Sequence, residues 1–270
     1  MTKILAIILE GKGGCGKSFI AQLVREWMMG PEGDRSVRVL DSDINNSSMA
    51  QIDPSAKFAG LRDENDIEAR GIITMAVRDL GDSVIDGVVW DTAAGIEDII
   101  RSRVLPAILV RAAKAKVAIV VLRPITTSQF TQDAALEFAA WAAKNGVGTV
   151  FVRNLGQGRA AKYFSDWDAF EPRRAAIPPA TEVVLPDLGC WVADEATSLG
   201  LGLGDVALGR FGRLTEKARA VAERKFTPEI QLAVADWLEL RRTEFDVAIK
   251  QAIANMSAPP APTKTKADIK

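Results

Sequence analysis

The residues Gly11-Lys-Gly-Gly-Cys-Gly-Lys-Ser18 carry the densest chemical pattern in the chain. They follow an apolar run at 4–9 and precede a segment with helical spacing at 19–29, so the pattern G-x-x-x-x-G-K-[ST] sits in the strand–loop–helix context that gives it meaning. Gly13, Gly14 and Gly16 let the backbone wrap closely and aim its N–H groups at phosphate oxygens. The start of the following helix, Lys17 to Phe19, adds its dipole. In such a loop Lys17 bridges the β- and γ-phosphates and the Ser18 hydroxyl ligates Mg²⁺. Cys15 occupies the variable position, where only its backbone N–H is needed. With no histidine anywhere in the chain to activate it, a nucleophilic thiol is not expected.

The absence of histidine also removes imidazole acid–base chemistry, imidazole metal ligands and histidine pH switching. Chemistry must then come from Lys, Asp, Glu, Ser or a bound metal. Val88-Val-Trp-Asp91 is a hydrophobic strand ending in aspartate, the physical description of a Walker B element, in which a buried strand fixes a carboxylate beside the metal's water shell. Leu40-Asp-Ser-Asp43 ends another strand with two further carboxylates.

Positioning these groups requires a sheet. Apolar, β-branched runs at 4–9, 37–40, 84–90, 117–122, 148–152 and 181–185 read as strands, with helices predicted at 19–29, 66–80, 96–115, 128–144, 213–225 and 228–256. The last of these begins at Thr227-Pro228, where Thr can cap and Pro suits the first turn. Its apolar positions Ile230, Val234, Trp237, Phe245, Ala248, Ile249 and Ala252 mark a core-facing stripe. Alternating strands and helices predict an α/β fold, a single P-loop domain over 1–256 with a mostly parallel, doubly wound sheet and ligands at the carboxyl ends of its strands. The helices at 213–256 would pack on that domain. Residues 257–270 (SAPPAPTKTKADIK) lack periodicity and read as a disordered tail.

Lys12, directly after the first glycine, marks a subtype. On KGGxGK[ST], the sequence resembles the deviant Walker A class of ParA and MinD ATPases. The resemblance implies slow ATP hydrolysis with Mg²⁺, stimulated by a partner protein, and an ATP-dependent homodimer in which Lys12 reaches the partner's nucleotide. It implies that Asp43 orients the attacking water and reaches the Mg²⁺ shell, with Asp41 in support. Thr92-Ala-Ala-Gly-Ile-Glu97 is similar to the family's γ-phosphate switch, with Ala93 replacing the usual proline and Gly95 as the flexible point. Asn154 falls where relatives read adenine, and Pro186 and Asp187 where the next loop contacts the base. The set implied is therefore Lys12, Lys17 and Asp43 for catalysis; Gly11, Lys12, Gly13, Gly14, Cys15, Gly16, Lys17, Ser18, Phe19, Asn154, Pro186 and Asp187 for the nucleotide; and Ser18, Asp43 and Asp91 for the metal.

With 34 Lys plus Arg against 35 Asp plus Glu, the net charge of −1 excludes a uniformly basic nucleic-acid surface but leaves room for a local one. Residues 210–225 hold six basic side chains against two acidic ones. If that stretch is helical, Arg210, Arg213, Lys217 and Arg224 fall within about 60° of one another. ParA-like proteins often bind DNA through basic residues in this part of the chain, so a non-specific DNA face, with nucleoid association, is the expectation there. The two cysteines have no metal-type spacing, which suits a reduced, cytoplasmic compartment, and no apolar run reaches the roughly 20 residues of a membrane span. Positioning or partitioning of plasmid DNA or other cargo is the leading functional expectation. A plasmid stability or conjugation accessory of the TraL/StbB kind is the variant. A metabolic P-loop enzyme and a MinD-like membrane oscillator are less favoured, since the tail lacks an amphipathic basic helix.

Overall fold

The computed structural model describes residues 2–30, 32–43, 48–61, 67–155, 167 and 181–256. Among these, seven strands form one sheet: β1 (Lys3–Ile8), β2 (Val37–Asp41), β3 (Lys57–Phe58), β4 (Gly87–Asp91), β5 (Val117–Ile125), β6 (Gly148–Asn154) and β7 (Thr181–Leu185). Their order is β3-β2-β4-β1-β5-β6-β7, and every neighbouring pair is parallel. The strands of the centre are buried on both faces, as their unbroken Ile/Val/Leu runs require.

Helices cover both faces. On one side Ile4, Ala6 and Ile8 meet α1 (Lys17–Met29) and the 29-residue C-terminal helix Pro228–Met256. On the other, Leu5, Ile7 and Leu9 meet α3 (Ile67–Gly81) and α5 (Leu105–Ala115). This is a doubly wound α/β fold with a parallel sheet, as the sequence predicts. Between these lie α2 (Ser48–Ile52), α4 (Glu97–Ile99), α6 (Gln129–Lys144), α7 (Cys190–Ser198), α8 (Leu203–Ala207) and α9 (Glu216–Lys225), the C-terminal helix being α10. Among the described residues no helix is long and apolar enough to cross a membrane.

Four differences from the sequence reading have local causes. The strand predicted at 84–90 begins only at Gly87, because Ser83 adopts a left-handed φ of 61° and Asp86 turns its side chain back to accept from the Ser36 N–H at 2.8 Å. The helix predicted at 96–115 is interrupted by a π-helical segment, Ile100–Val104, which ends two residues before Pro106, a residue with no N–H to give the preceding turn. The helix predicted from 213 starts at Glu216, where the Thr215 hydroxyl accepts from the Ala218 N–H at 3.4 Å. The short elements β3, α2, α7 and α8 carry too few residues for a periodicity to show. The proposed tail at 257–270 lies outside the described residues.

Helix α10 buries Val234, Leu238, Phe245, Ala248, Ile249 and Ala252, with Ile230 and Trp237 partly covered. Its outer face leaves Leu240 60% exposed. Phe245→Ala is expected to cost about 3–5 kcal/mol through lost transfer energy and a cavity, whereas Leu240→Ala stays within about 0.5 kcal/mol. Chemical denaturation of the two variants checks this, and equal losses would contradict the packing assigned to α10.

Candidate functional site

Helix α1 starts from Gly16, whose left-handed φ of 87° is open to glycine at little cost, and Gly14 turns with φ 71° two residues earlier. No side chain caps the helix and no acidic residue lies in its first turn. Its first N–H groups therefore point out of the helix without an intrahelical partner, with the positive end of the dipole behind them. Lys17, buried to 9% exposure, directs its ammonium across the same loop and donates to the Lys12 carbonyl at 3.1 Å. The Cys15 thiol reaches that carbonyl at 3.3 Å, and burial pushes its pKa up, so it is a structural and unreactive thiol.

Parallel register brings the acidic residues to this end of the sheet. Asp91 pairs with Ile8 on one side and with Asp41 on the other, so the carboxyl ends of β1, β2 and β4 finish level. The Ser18 hydroxyl bonds the Asp91 carboxylate, while Asp91 Oδ1 is buried without a hydrogen-bond partner. Burial pushes the Asp91 pKa up to about 7, against the pull of Ser18 and Lys17, and the nearby Asp41 carboxylate adds to the rise. Asp41 accepts N–H bonds from Asp43 at 2.9 Å and Ala50 at 3.3 Å; its own pKa is raised, chiefly by burial. Trp90 Nε1 donates to Ser42 Oγ at 2.7 Å and Ser42 Oγ donates to the Ala59 carbonyl at 2.5 Å. These two bonds clamp the turn that presents Asp43.

A cavity of about 550 Å³ opens along this edge, of a size usual for small-ligand sites. Gly13, Gly14, Gly16, Lys17, Ser18 and Phe19 line it together with Asp43, while Asn154, Pro186 and Asp187 line it from the ends of β6 and β7. Ten of the residues singled out from sequence thus share one cavity, and Asp91 lies beneath it against Ser18. Gly11, Lys12 and Cys15 do not line it, and Lys12 is exposed. Thr92 and Ala94 of the loop after β4 form part of its wall.

Sequence reasoning missed Gln22, Ser48, Ile52 and the α7 residues Ala193, Asp194, Thr197 and Ser198, which also line it. Gln22 stands four residues after Ser18 on α1 and so shares its face, a spacing that could have marked it. No comparable signal announced α7.

The basic stretch is rearranged relative to the helical arc predicted for it. Arg210 and Arg213 precede α9, so they do not share a helix face with Lys217 and Arg224. Arg213, though itself exposed, is engaged within the fold, donating to the Ile52 carbonyl at 2.8 Å and the Gly200 carbonyl at 2.5 Å and pairing with Asp205 at 2.8 Å. It serves as a brace between α2, α8 and the chain before α9. Arg210, Lys217 and Arg224 are exposed.

No protein-family profile and no curated protein matches the chain. Solved structures similar to it include the following three. A nucleotide-binding protein from Archaeoglobus fulgidus in complex with ADP is 17% identical, over 73% of this chain and 87% of that one, with a TM-score of 0.43. The MinD cell division protein of Aquifex aeolicus is 14% identical, over 83% of this chain and 96% of that one, with a TM-score of 0.45. The 54 kDa signal recognition particle protein of Aeropyrum pernix K1 in complex with GDP is 20% identical, over 95% of this chain and 67% of that one, with a TM-score of 0.41.

Asp91 places an oxygen without a hydrogen bond beside a second carboxylate in a buried setting, which costs folding energy when no ligand is bound. Asp91→Asn is expected to stabilise the ligand-free protein at pH 8 by about 1–3 kcal/mol, because the charge is removed and the shape is kept. Thermal melts in the presence of chelator check this, and a lower melting temperature for the variant would contradict it.

Proposed function

We propose that the chain is an ATP-dependent dimerising switch ATPase of the ParA type, which positions or partitions plasmid DNA or other cargo. The carrying observation is the uncapped start of α1, framed by left-handed glycines and by Lys17, opening on the same cavity as Asp43 and the Ser18 hydroxyl. Such a helix end, with backbone N–H groups and a lysine converging on it, is an anion site of the polyphosphate kind.

The residues also fit a divalent cation. An unbonded Asp91 oxygen and the Ser18 hydroxyl lie together, with Asp43 on the cavity wall, and all are hard oxygen donors. Among the described residues no three acidic or thiol side chains converge on one point. Phosphate and water oxygens would therefore complete the shell, as Mg²⁺ prefers. A bound cation would supply neutralisation of the charge on the phosphates. Ser18, Asp91 and Asp43 would hold it; Lys17 would turn from the Lys12 carbonyl to the terminal phosphates. Asn154, Pro186 and Asp187, at the far end of the cavity, would receive the base.

Asp43 is the carboxylate with access to the cavity from the β2 loop, and its role in this reading is to orient the attacking water. The backbone N–H of Asp43 on the Asp41 carboxylate fixes that loop at 2.9 Å, which gives Asp41 a supporting role. Lys12 is exposed and does not line its own cavity, while its carbonyl and N–H are used inside the loop, the N–H donating to Glu10 at 3.2 Å. An exposed lysine in the phosphate loop that does not line its own cavity suits delivery to a second copy's nucleotide.

Two measurements test the reading. Light scattering of the wild type with a non-hydrolysable ATP analogue and Mg²⁺ is expected to give a dimer, with ADP or with Lys12→Ala giving a monomer. A wild type that stays monomeric with the analogue would refute the switch. Asp43→Ala is expected to retain ATP binding while turnover falls on the order of a hundredfold or more, as loss of a water-positioning group does. Unchanged turnover would remove Asp43 from the mechanism.

A further inference from the structure

Arg123, on β5, is fully buried and has two carboxylate partners from distant parts of the chain. Its Nη2 donates to Glu10 Oε2 at 3.1 Å, both side chains being completely inaccessible, and Phe138 of α6 lies under the guanidinium with its ring centre 5.1 Å from Cζ. Glu10 leads directly into the phosphate loop. Burial raises its pKa and Arg123 opposes that rise, so this pair is a fixed anchor.

The second partner differs. Arg123 Nη1 lies 2.9 Å from Glu97 Oε1 yet has no hydrogen bond of acceptable angle, and the Glu97 side chain keeps 15% exposure. This contact is Coulombic and undirected, at the rim of the buried cluster. Glu97 closes the loop 92–97 and begins α4, and a Cβ placed on Gly11 would stand 3.5 Å from its Oε2. The same loop is tied down by the Gly95 N–H on the Gly11 carbonyl at 3.0 Å and by Thr92 Oγ1 on the Ile8 carbonyl at 2.6 Å. Thr92 and Ala94 are cavity wall beside Gly13, and the π-helical turn Ile100–Val104 follows directly, a geometry that relaxes by shifting hydrogen-bond register.

We propose that Arg123 is a positioning residue: anchored by Glu10, it holds Glu97 and thereby keeps the 92–97 arm against the phosphate loop, and Glu97 is the partner it releases when the terminal phosphate arrives. The proposal rests on the nucleotide reading of the cavity for that second half only. A guanidinium between two carboxylates holds both, but an anion entering beside Gly13 raises the cost of keeping the less buried carboxylate close by. The arm's backbone N–H groups then exchange the Gly11 carbonyl for a phosphate oxygen.

Replacing Arg123 would leave Glu10 buried and unpaired and endanger the fold, so Glu97 carries the test. Hydrogen exchange of the nucleotide-free protein is measured for the wild type, Glu97→Gln and Glu97→Asp. Glu97→Asp keeps the negative charge at the start of α4 and is one methylene too short for Arg123. Both variants are expected to exchange roughly tenfold faster over 93–100, with 105–115 and β5 unchanged. Wild-type rates in both variants, or in Glu97→Asp alone, would overturn the latch, the latter outcome leaving only a helix-end charge. In the wild type, exchange over 93–100 is expected to differ between the ADP and ATP-analogue states, and in the variants that difference is expected to shrink. A difference that persists unchanged would overturn the release step. If the wild type binds neither nucleotide, the functional reading fails, while the nucleotide-free exchange still decides the latch.

Discussion

Helix α1 begins from a glycine in the left-handed region, with no capping side chain and no acid in its first turn. A helix of this length in a folded core would ordinarily gain on the order of 1 kcal/mol from a Ser, Thr, Asp or Asn cap. Leaving that stabilisation out keeps the first N–H groups free, and the rest of the site is arranged around them. Lys17 is drawn over the loop, the glycines keep side chains out of the cradle, and β1 ends where the loop must start. The helix can carry the loss because its other face is deep in the core, with Ile20, Ala21, Leu23 and Val24 buried against the sheet.

The register of the sheet does the second part. Because β1, β4 and β2 pair in parallel with Ile8 level with Asp91 and Asp91 level with Asp41, two carboxylates arrive side by side under the phosphate loop. Neither is comfortable there: burial raises the pKa of both. Charges of one sign gathered in a dry place lower stability unless an opposite charge joins them. In the proposed function a cation would supply that opposite charge. Under the proposed function, a bound cation and Lys17 would supply the positive charge that imidazole would otherwise share.

Much of this was legible in the sequence. A continuous apolar strand is unambiguous when it is buried on both faces, and glycine spacing before a Lys-Ser pair fixes a loop geometry within a few residues, so β1, the phosphate loop and α1 could be read directly. So could β7 and α10, whose ends agree with the reading, because Thr227-Pro228 and the apolar stripe of α10 are local signals. Asn154, Pro186 and Asp187 reach the cavity through strand order, which the family resemblance supplied and local pattern does not. The basic stretch misled because charge counts ignore what a side chain can reach: Arg213 found two carbonyls and a carboxylate within the fold, and the helix started at Glu216, after both Arg210 and Arg213 that the arc required.

The Arg123 cluster was illegible for a deeper reason. Glu10 and Arg123 are 113 residues apart, and nothing in either neighbourhood announces a partner. Only the sheet order, which sets β5 beside β1, makes them meet. Once it does, the chemistry follows without further design: a fully buried guanidinium must be paired, Glu10 is there to pair it, and its remaining Nη1 faces whatever chain covers the end of β1. That chain is the loop carrying Gly95 and Glu97. A buried charge placed to satisfy one acid therefore leaves its second arm pointing at a segment that Thr92 and Gly95 already tie to Ile8 and Gly11, and this makes the 11–18 loop and the 92–97 arm parts of one electrostatic unit.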